Sequence, residues 1–527
     1  MLFNKTLLSI LFCASVLHTN AQKQLNPMMG WSSWNTFRVR IHEDLIKASA
    51  DAMVDKGLKD AGYLYCNIDD GYFGGRDAEG KLFPNPAKFP NGMKAVADHI
   101  HSLGLKAGIY SDAGSNTCGS IYDGDKLGVG VGLFGHETQD CTTFFKEWGY
   151  DYIKVDWCGG EATKKSEQQR YTAIRESIQA TGRTDIRLNI CRWQFPGTWA
   201  IDVAESWRTQ TDIGPNWKAV VHQFDNNLFL AAYAGPGHFN DMDMLEVGRG
   251  MTHEEDKSHF GLWCIMSSPL MIGCDIRTLN EQTLSILKNK EVIALNQDPL
   301  GLQAKLISQE GDKIVLSKPL QQLNGTLRGV ALFNKSEQPQ TIRVRFADLN
   351  ISPKATVRDL WQQKELGTFT DYYEATVAPH GIALLKVSAK EAYEPLKYEA
   401  EYAFMKEYLP KSDSCATFKA KEGSSGGYMM SHLGNNPNNW AEFRQVYSKK
   451  GGDYRLTIYY LSGENRNLTY SINDGKEILL TDLNSGSWDK VASTSNTIRL
   501  KPGNNVIRMG NASAFAPDID KIEVSRQ

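Results

Sequence analysis

Over its first 300 or so residues the chain alternates short apolar, strand-like runs with longer segments of helical spacing. Eight such runs stand out: 30–34 (GWSSW), 63–70 (YLYCNIDD), 106–112 (KAGIYSD), 152–158 (YIKVDWC), 187–193 (RLNICRW), 206–212 (SWRTQTD), 238–244 (HFNDMDM) and 270–276 (LMIGCDI). Nearly all end in acidic, sulfur or aromatic groups. Between them lie stretches such as 42–59 (HEDLIKASADAMVDKGLK), where apolar positions recur with helical period and Gly57 and Gly62 punctuate the exit. Eight strands alternating with helices, with reactive groups gathered at the strand ends, predict a (β/α)₈ TIM barrel of α/β class, its site at the C-terminal face.

The texture changes after Asn296-Gln297-Asp298-Pro299-Leu300-Gly301. Short runs such as 314–317, 329–333 and 341–346 read as antiparallel strands and close at 382–387, which predicts a β-sandwich over 301–388 behind a catalytic barrel spanning 22–300. A linker near 388–397 then leads to a second C-terminal β-sandwich, jelly-roll-like, over 398–527. Strands are expected there at 454–461, 468–472 and 506–509.

Composition narrows the partners. With 527 residues, 23% charged and a net charge of −3, the chain offers no electrostatic case for nucleic acid or an anionic membrane. Aromatic residues make up 10%, which suits a protein that stacks sugars. Residues 1–21 combine Lys5, an apolar run over 7–17 and Ala21 before Gln22, the pattern of a cleaved signal peptide. That run is shorter than the ~20 residues a membrane span needs. An exported protein, periplasmic or extracellular, with no membrane span after cleavage is expected. Of nine cysteines Cys13 leaves with the signal, and the remaining eight show no zinc spacing.

Hydrolysis of a glycosidic bond needs two carboxyl groups flanking it. Asp156 and Asp212, at the ends of the fourth and sixth strands, are the candidates. Lys154 shares a strand face with Asp156, because side chains alternate with period two, and its charge favours an ionised nucleophile.

The words MGWSSWN, NIDDGY, GIYSDAGSNTCGS, YIKVDWC, SWRTQTDI, AGPGHFNDMDML and NQDPLG together resemble glycoside hydrolase family 27, the α-galactosidases and α-N-acetylgalactosaminidases of clan D, over about residues 26–386. The resemblance implies a retaining exo-glycoside hydrolase that removes terminal α-D-galactosyl residues from oligo- or polysaccharides, with no cofactor for catalysis. It implies Asp156 as nucleophile and Asp212 as acid/base. Substrate contacts would come from Trp34, from Asp69 and Asp70 at O4 and O6, from Tyr110, Lys154 and Arg208, and from Asp243 and Met244. It also implies a disulfide between Cys118 and Cys158.

One word departs from the family. Cys191-Arg192-Trp193 stands where Cys-Glu-Trp is usual, so a donor replaces an acceptor near O2 of the sugar. Arg192 and Trp193 remain candidate substrate contacts, Arg192 either reaching a neighbouring sugar or pairing with a nearby carboxylate. β-L-Arabinopyranosidase, α-N-acetylgalactosaminidase and, from another class, a non-catalytic carbohydrate-binding protein are the alternative readings. The C-terminal unit resembles carbohydrate-binding modules of families 35 and 6. That resemblance implies a structural Ca²⁺ on Glu399, Glu401 and Asp520, since hard cations take carboxylate oxygens. Trp440 and Trp488 are its candidate sugar platforms.

Overall fold

The computed structural model describes residues 26–527; the signal-like segment 1–21 lies outside the described residues. Eight parallel strands form the first sheet: β1 (Met29–Ser32), β2 (Tyr65–Asn67), β3 (Lys106–Asp112), β4 (Tyr152–Asp156), β5 (Arg187–Cys191), β6 (Ser206–Arg208), β7 (Phe239–Asp241) and β8 (Leu270–Ile272). From β1 to β7 each pairs with its sequence neighbour, and β8 returns to β1 with Met29 opposite Leu270. Leu245, just past β7, bridges to Ile272 and closes the cylinder. All eight predicted strands are present; β3 spans its whole run, and the others are shorter than theirs, with residues such as Asp69, Asp70, Asp212 and Asp243 falling just past the strand ends.

Ile153, Val155, Leu188 and Ile190 stand at alternate positions of β4 and β5 and bury one face of the strands, while Lys154, Asp156 and Asn189 take the other. Helices cover the outside. The predicted 42–59 helix runs Glu43–Asp55, where the His42 ring accepts from the Leu45 N–H as an N-cap. The helix Glu167–Ala180 opens on a Ser166/Gln169 capping box, which fixes where the chain after β4 turns back. Among the described residues no helix is long and apolar enough to cross a membrane.

Residues 305–389 form a six-stranded antiparallel sheet and a separate antiparallel pair, Gln340–Arg345 with Tyr372–Val377. The sheet's central strands are apolar on both faces, and the reason is geometric. Val315, Val330, Leu332 and Leu385 point into the sandwich, whereas Ile314, Leu316, Ala331, Phe333 and Leu384 point outward and join the barrel's core. The segment read as a linker is pinned: Tyr393 N–H donates to the Asn350 carbonyl, and the Glu394 carboxylate accepts from the Tyr454 hydroxyl at 2.9 Å.

Residues 397–526 make a second two-sheet sandwich whose first and last strands pair, Glu399 opposite Lys521. This unit docks on the barrel through rings. Phe229 lies 4.3 Å from Tyr428 and 5.0 Å from Phe418, and Tyr233 stacks on Tyr408 at 5.2 Å, centroid to centroid. Thr198 Oγ1 donates to the Lys406 carbonyl at 2.7 Å.

Candidate active site

The C-terminal ends of the barrel strands bring the expected residues together. Asp156 closes β4 and is buried; Lys154, two positions back, projects to the same side. Lys154 Nζ lies 3.2 Å from Asp69 Oδ2 and 5.6 Å from the Tyr110 ring centre. Burial works against the ammonium, yet the carboxylates of Asp156 and Asp69 hold its pKa well above the ordinary value. Burial pushes the Asp156 carboxyl upward, with Lys154 opposing. Asp156 Oδ1 is buried without a hydrogen-bond partner, and Oδ2 lies 3.1 Å from Cys118 Sγ.

Asp212 stands past β6 at the rim, its side chain 65% exposed. Arg208, at the end of β6, is buried beneath it and donates from Nη2 to Asp212 Oδ1 at 3.1 Å while pairing with Asp243 Oδ2 at 2.8 Å. Partial burial raises the Asp212 pKa, but Arg208 and then Lys154 overcome it and hold the carboxyl below its ordinary value. Arg208 Nε has no partner. Asp243 adopts φ 80°, a conformation rare outside glycine. Its Oδ1 accepts from the Met244 N–H at 2.8 Å and its Oδ2 from the Ile213 N–H at 2.7 Å, so it fixes the backbone beside Asp212. Burial raises its pKa.

Asp69 and Asp70 follow β2. Ser32 Oγ, from β1, donates to Asp69 Oδ2 at 3.3 Å. Asp70 is wholly buried; its oxygens accept from the Gly71 N–H at 2.7 Å and the Gly119 N–H at 2.6 Å, and burial pushes its pKa up to about 7. Gly119 is needed there, since a Cβ would sit 2.8 Å from Asp70 Oδ2 and 2.7 Å from Val39. Tyr110 is buried, and its hydroxyl accepts from the Cys118 N–H at 3.3 Å. Trp34 carries the Arg38 guanidinium 4.2 Å above its ring and packs against Met28, Tyr65, Tyr152, Met244 and Met271, an apolar patch next to the polar wall. Cys118 and Cys158 form the implied disulfide, Cα to Cα 5.2 Å.

Arg192 pairs with Glu167 at the start of the helix after β4, each side chain about one-fifth exposed. Of the two readings open in the sequence, this is the ion pair. Trp193, at φ 45°, is half-buried beside it.

Three positioning groups had been given no role. Asp112, in register with Asp156, accepts from the N–H groups of Gly114, Cys158 and Gly159 at 2.7, 2.7 and 3.0 Å, and so holds the loop after the nucleophile candidate. Burial pushes its pKa up to about 7 against those three donors. The signal available was an aspartate ending a strand beside the YIKVD strand. Cys191, opposite Asp156 on β5, lies 3.6 Å from Arg208 Nη1. Arg38 is fixed by two bonds to Asp123, at 2.9 and 2.7 Å. Sequence spacing carried no sign of either contact. In the C-terminal unit Trp440 lies under Arg508 at 4.2 Å and Trp488, 38% exposed, under Arg466 at 4.6 Å.

A family model described as alpha galactosidase A matches residues 26–298, and one described as the alpha galactosidase C-terminal β-sandwich domain matches 310–387. Alpha-galactosidase 2 of Arabidopsis thaliana is 43% identical over 374 residues, 70% of this chain and 91% of that protein. Alpha-galactosidase A of Cellvibrio japonicus is 39% identical over 69% of this chain and 92% of its own length. The crystal structure of alpha-galactosidase I from Mortierella vinacea superposes with a TM-score of 0.65 at 32% identity, covering 71% of this chain and 100% of that one. Two carboxylates at barrel strand ends, a buried lysine and arginine between them and these matches lead to one assignment: the chain belongs to the α-galactosidases of glycoside hydrolase family 27.

Proposed function

We propose that the protein hydrolyses terminal α-D-galactosides by double displacement, with Asp156 as nucleophile and Asp212 as acid/base. The observation that carries this reading is the unpartnered Oδ1 of Asp156 beside Lys154. A buried acceptor left unsatisfied costs about 1–3 kcal/mol. Here Oδ1 is the atom that would bond the anomeric carbon. Asp212 protonates the departing oxygen and then takes a proton from water. Burial raises the Asp156 pKa, and the charges of Asp69 and Asp212 add to that rise against Lys154. Burial raises the pKa of the Asp212 carboxyl, but Arg208 and Lys154 overcome it in the free enzyme and hold it in the base form that the second step uses; a bound sugar that engages those two cations lets Asp212 carry the proton it gives in the first. Lys154, Asp69 and Arg208 orient the sugar hydroxyls, and Trp34 with Met244 covers its apolar face.

Retention of configuration tests the mechanism. Carboxyl groups about 5–5.5 Å apart leave no room for water on the far face. Proton NMR of the first-formed sugar should show α-galactose; β-galactose appearing first would overturn double displacement.

Galactose is favoured over β-L-arabinopyranose because Asp70 is an aspartate drawn back onto two backbone N–H groups, which leaves space at C6. Galactose-containing oligo- or polysaccharides are the proposed substrates, and an exported location follows from the signal-like segment.

The C-terminal unit is proposed as a carbohydrate-binding module with a structural Ca²⁺ on Glu399, Glu401 and Asp520. Burial, then Glu399, pushes Glu401 up to about 9, and burial pushes Asp520 up to about 6. Oε2 of Glu399 and Oε2 of Glu401 are buried without partners. A hard cation would satisfy both oxygens and let the carboxyls ionise. Calcium should raise the thermal midpoint and a chelator lower it; a midpoint indifferent to both would dismiss the site.

A further inference from the structure

Asp212 stands on a stretch with no regular structure. Residues 209–216 lie between β6 and the helix Trp217–Asn227, and the Asp212 side chain is exposed at the rim. A carboxyl on such a loop can deliver a proton to a fixed point only if its backbone is fixed. Three successive peptide units are held there, each by a different side chain. Arg208 Nη2 donates to the Gln210 carbonyl at 3.0 Å, Gln223 Nε2 donates to the Thr211 carbonyl at 2.5 Å, and the Ile213 N–H donates to Asp243 Oδ2 at 2.7 Å. Arg208 and Asp243 already belong to the pocket. Gln223 comes from the helix behind it, and the catalytic reading gives it no part.

Its place on that helix calls for a reason. Val220, Gln223, Phe224 and Asn227 are the buried positions, the i, i+3, i+4, i+7 stripe that a helix turns toward a core and fills with apolar side chains. Gln223 is 1% exposed, and its Oε1 is buried without a partner. A buried polar atom left unsatisfied costs about 1–3 kcal/mol, so leucine or methionine would serve packing better. The amide nevertheless makes one bond, to the carbonyl of the residue before Asp212. Asn227, one turn further on, shows the contrast. Its Nδ2 donates to Gln303 Oε1 at 3.3 Å, within a cluster of buried amides that includes Asn240 and reaches Trp207 of β6. That cluster braces the sheet, whereas Gln223 braces the rim loop.

We propose that Gln223 is a positioning residue for the acid/base, holding the Thr211–Asp212 peptide so that the carboxyl meets the departing oxygen. The inference rests on Asp212 being the acid/base. It has a signature that a merely structural role lacks, because a leaving group that departs without a proton needs no well-placed acid.

The test compares kcat/KM for phenyl α-galactoside, whose phenolate needs protonation, with that for α-galactosyl fluoride, whose fluoride does not. Wild type, Gln223→Met, Gln223→Leu and Asp212→Ala are assayed. General acid catalysis supplies roughly 10²–10⁴-fold, and a displacement of about 1 Å can lose about 10²-fold. Gln223→Met should therefore lose roughly tenfold on phenyl α-galactoside and less than about twofold on the fluoride. Both substrates are measured on one preparation, so a misfolded fraction lowers the two values equally and leaves their ratio unchanged. Gln223→Leu carries the same expectation and serves if the methionine variant does not fold. Equal losses on both substrates, or no loss on either, would overturn the role of Gln223. Asp212→Ala should lose about 10²-fold or more on phenyl α-galactoside and far less on the fluoride. Equal losses in that variant would overturn Asp212 as the acid instead, which keeps the two failures distinct.

Discussion

Replacing Asp156 by asparagine keeps the side chain's shape and removes its charge, which makes it the sharpest perturbation of the proposed nucleophile. The effect on folding should be small because two terms oppose. Lys154 loses one counter-charge but keeps Asp69 at 3.2 Å, while the burial that pushes the Asp156 carboxyl up no longer acts on a charge. A net change below about 2 kcal/mol and a shift of a few degrees in Tm follow. The effect on turnover should be far larger, since an amide at Oδ1 cannot form a glycosyl ester. A fall in kcat of about 10⁴-fold or more is expected, about 5.5 kcal/mol at about 1.36 kcal/mol per tenfold. Steady-state release of nitrophenol from nitrophenyl α-galactoside measures the first quantity, and thermal circular dichroism the second. A variant with wild-type Tm and kcat within tenfold of wild type would refute the assignment of Asp156.

Arg208→Met leaves Asp243 buried without its cation and should destabilise the fold by about 3–5 kcal/mol, read by denaturant unfolding; a loss under 1 kcal/mol would mean the pair contributes little. Asp70→Glu pushes a methylene toward C6 and should move the kcat/KM ratio toward β-L-arabinopyranoside by ~1–3 kcal/mol, a ratio that nitrophenyl glycosides of both sugars report. Asp112, raised to about 7 in the fold against about 3.9 unfolded, contributes stability that is full below about pH 4 and is lost as pH rises through about 7. The Tm difference between wild type and Asp112→Asn should therefore shrink between pH 5 and 8, and a constant difference would show a carboxyl ionised throughout.

The eight barrel strands were legible because each apolar run ends in residues that a strand end can use and a core cannot. Asp156 and Lys154 were legible together because period-two alternation is exact over two residues. Asp112 escaped because its role is to accept from a loop on another strand, and a lone aspartate after KAGIYS does not say which donors will face it. The pair Arg192–Glu167 joins positions 25 apart through the turn after β4 and the capped start of its helix, and many carboxylates could have met that guanidinium. The central sandwich strands read as alternating, yet they are apolar on both faces because the barrel covers the outer one. The docking of the last unit left no trace, since Phe195, Phe229 and Tyr233 look like any core aromatics until their partners are placed.

That seam of rings has a consequence in time. Phe229 is synthesised about 200 residues before Tyr428, the ring that covers it at 4.3 Å. At ~5–20 residues per second the ribosome takes roughly 10–40 s to cross that interval. Through that interval a finished barrel would hold Phe195, Phe229 and Tyr233 bare to water, an adhesive face on every nascent molecule. Chains ended at Ala389 would keep that face permanently and self-associate, so the last domain also acts as the seal on the first.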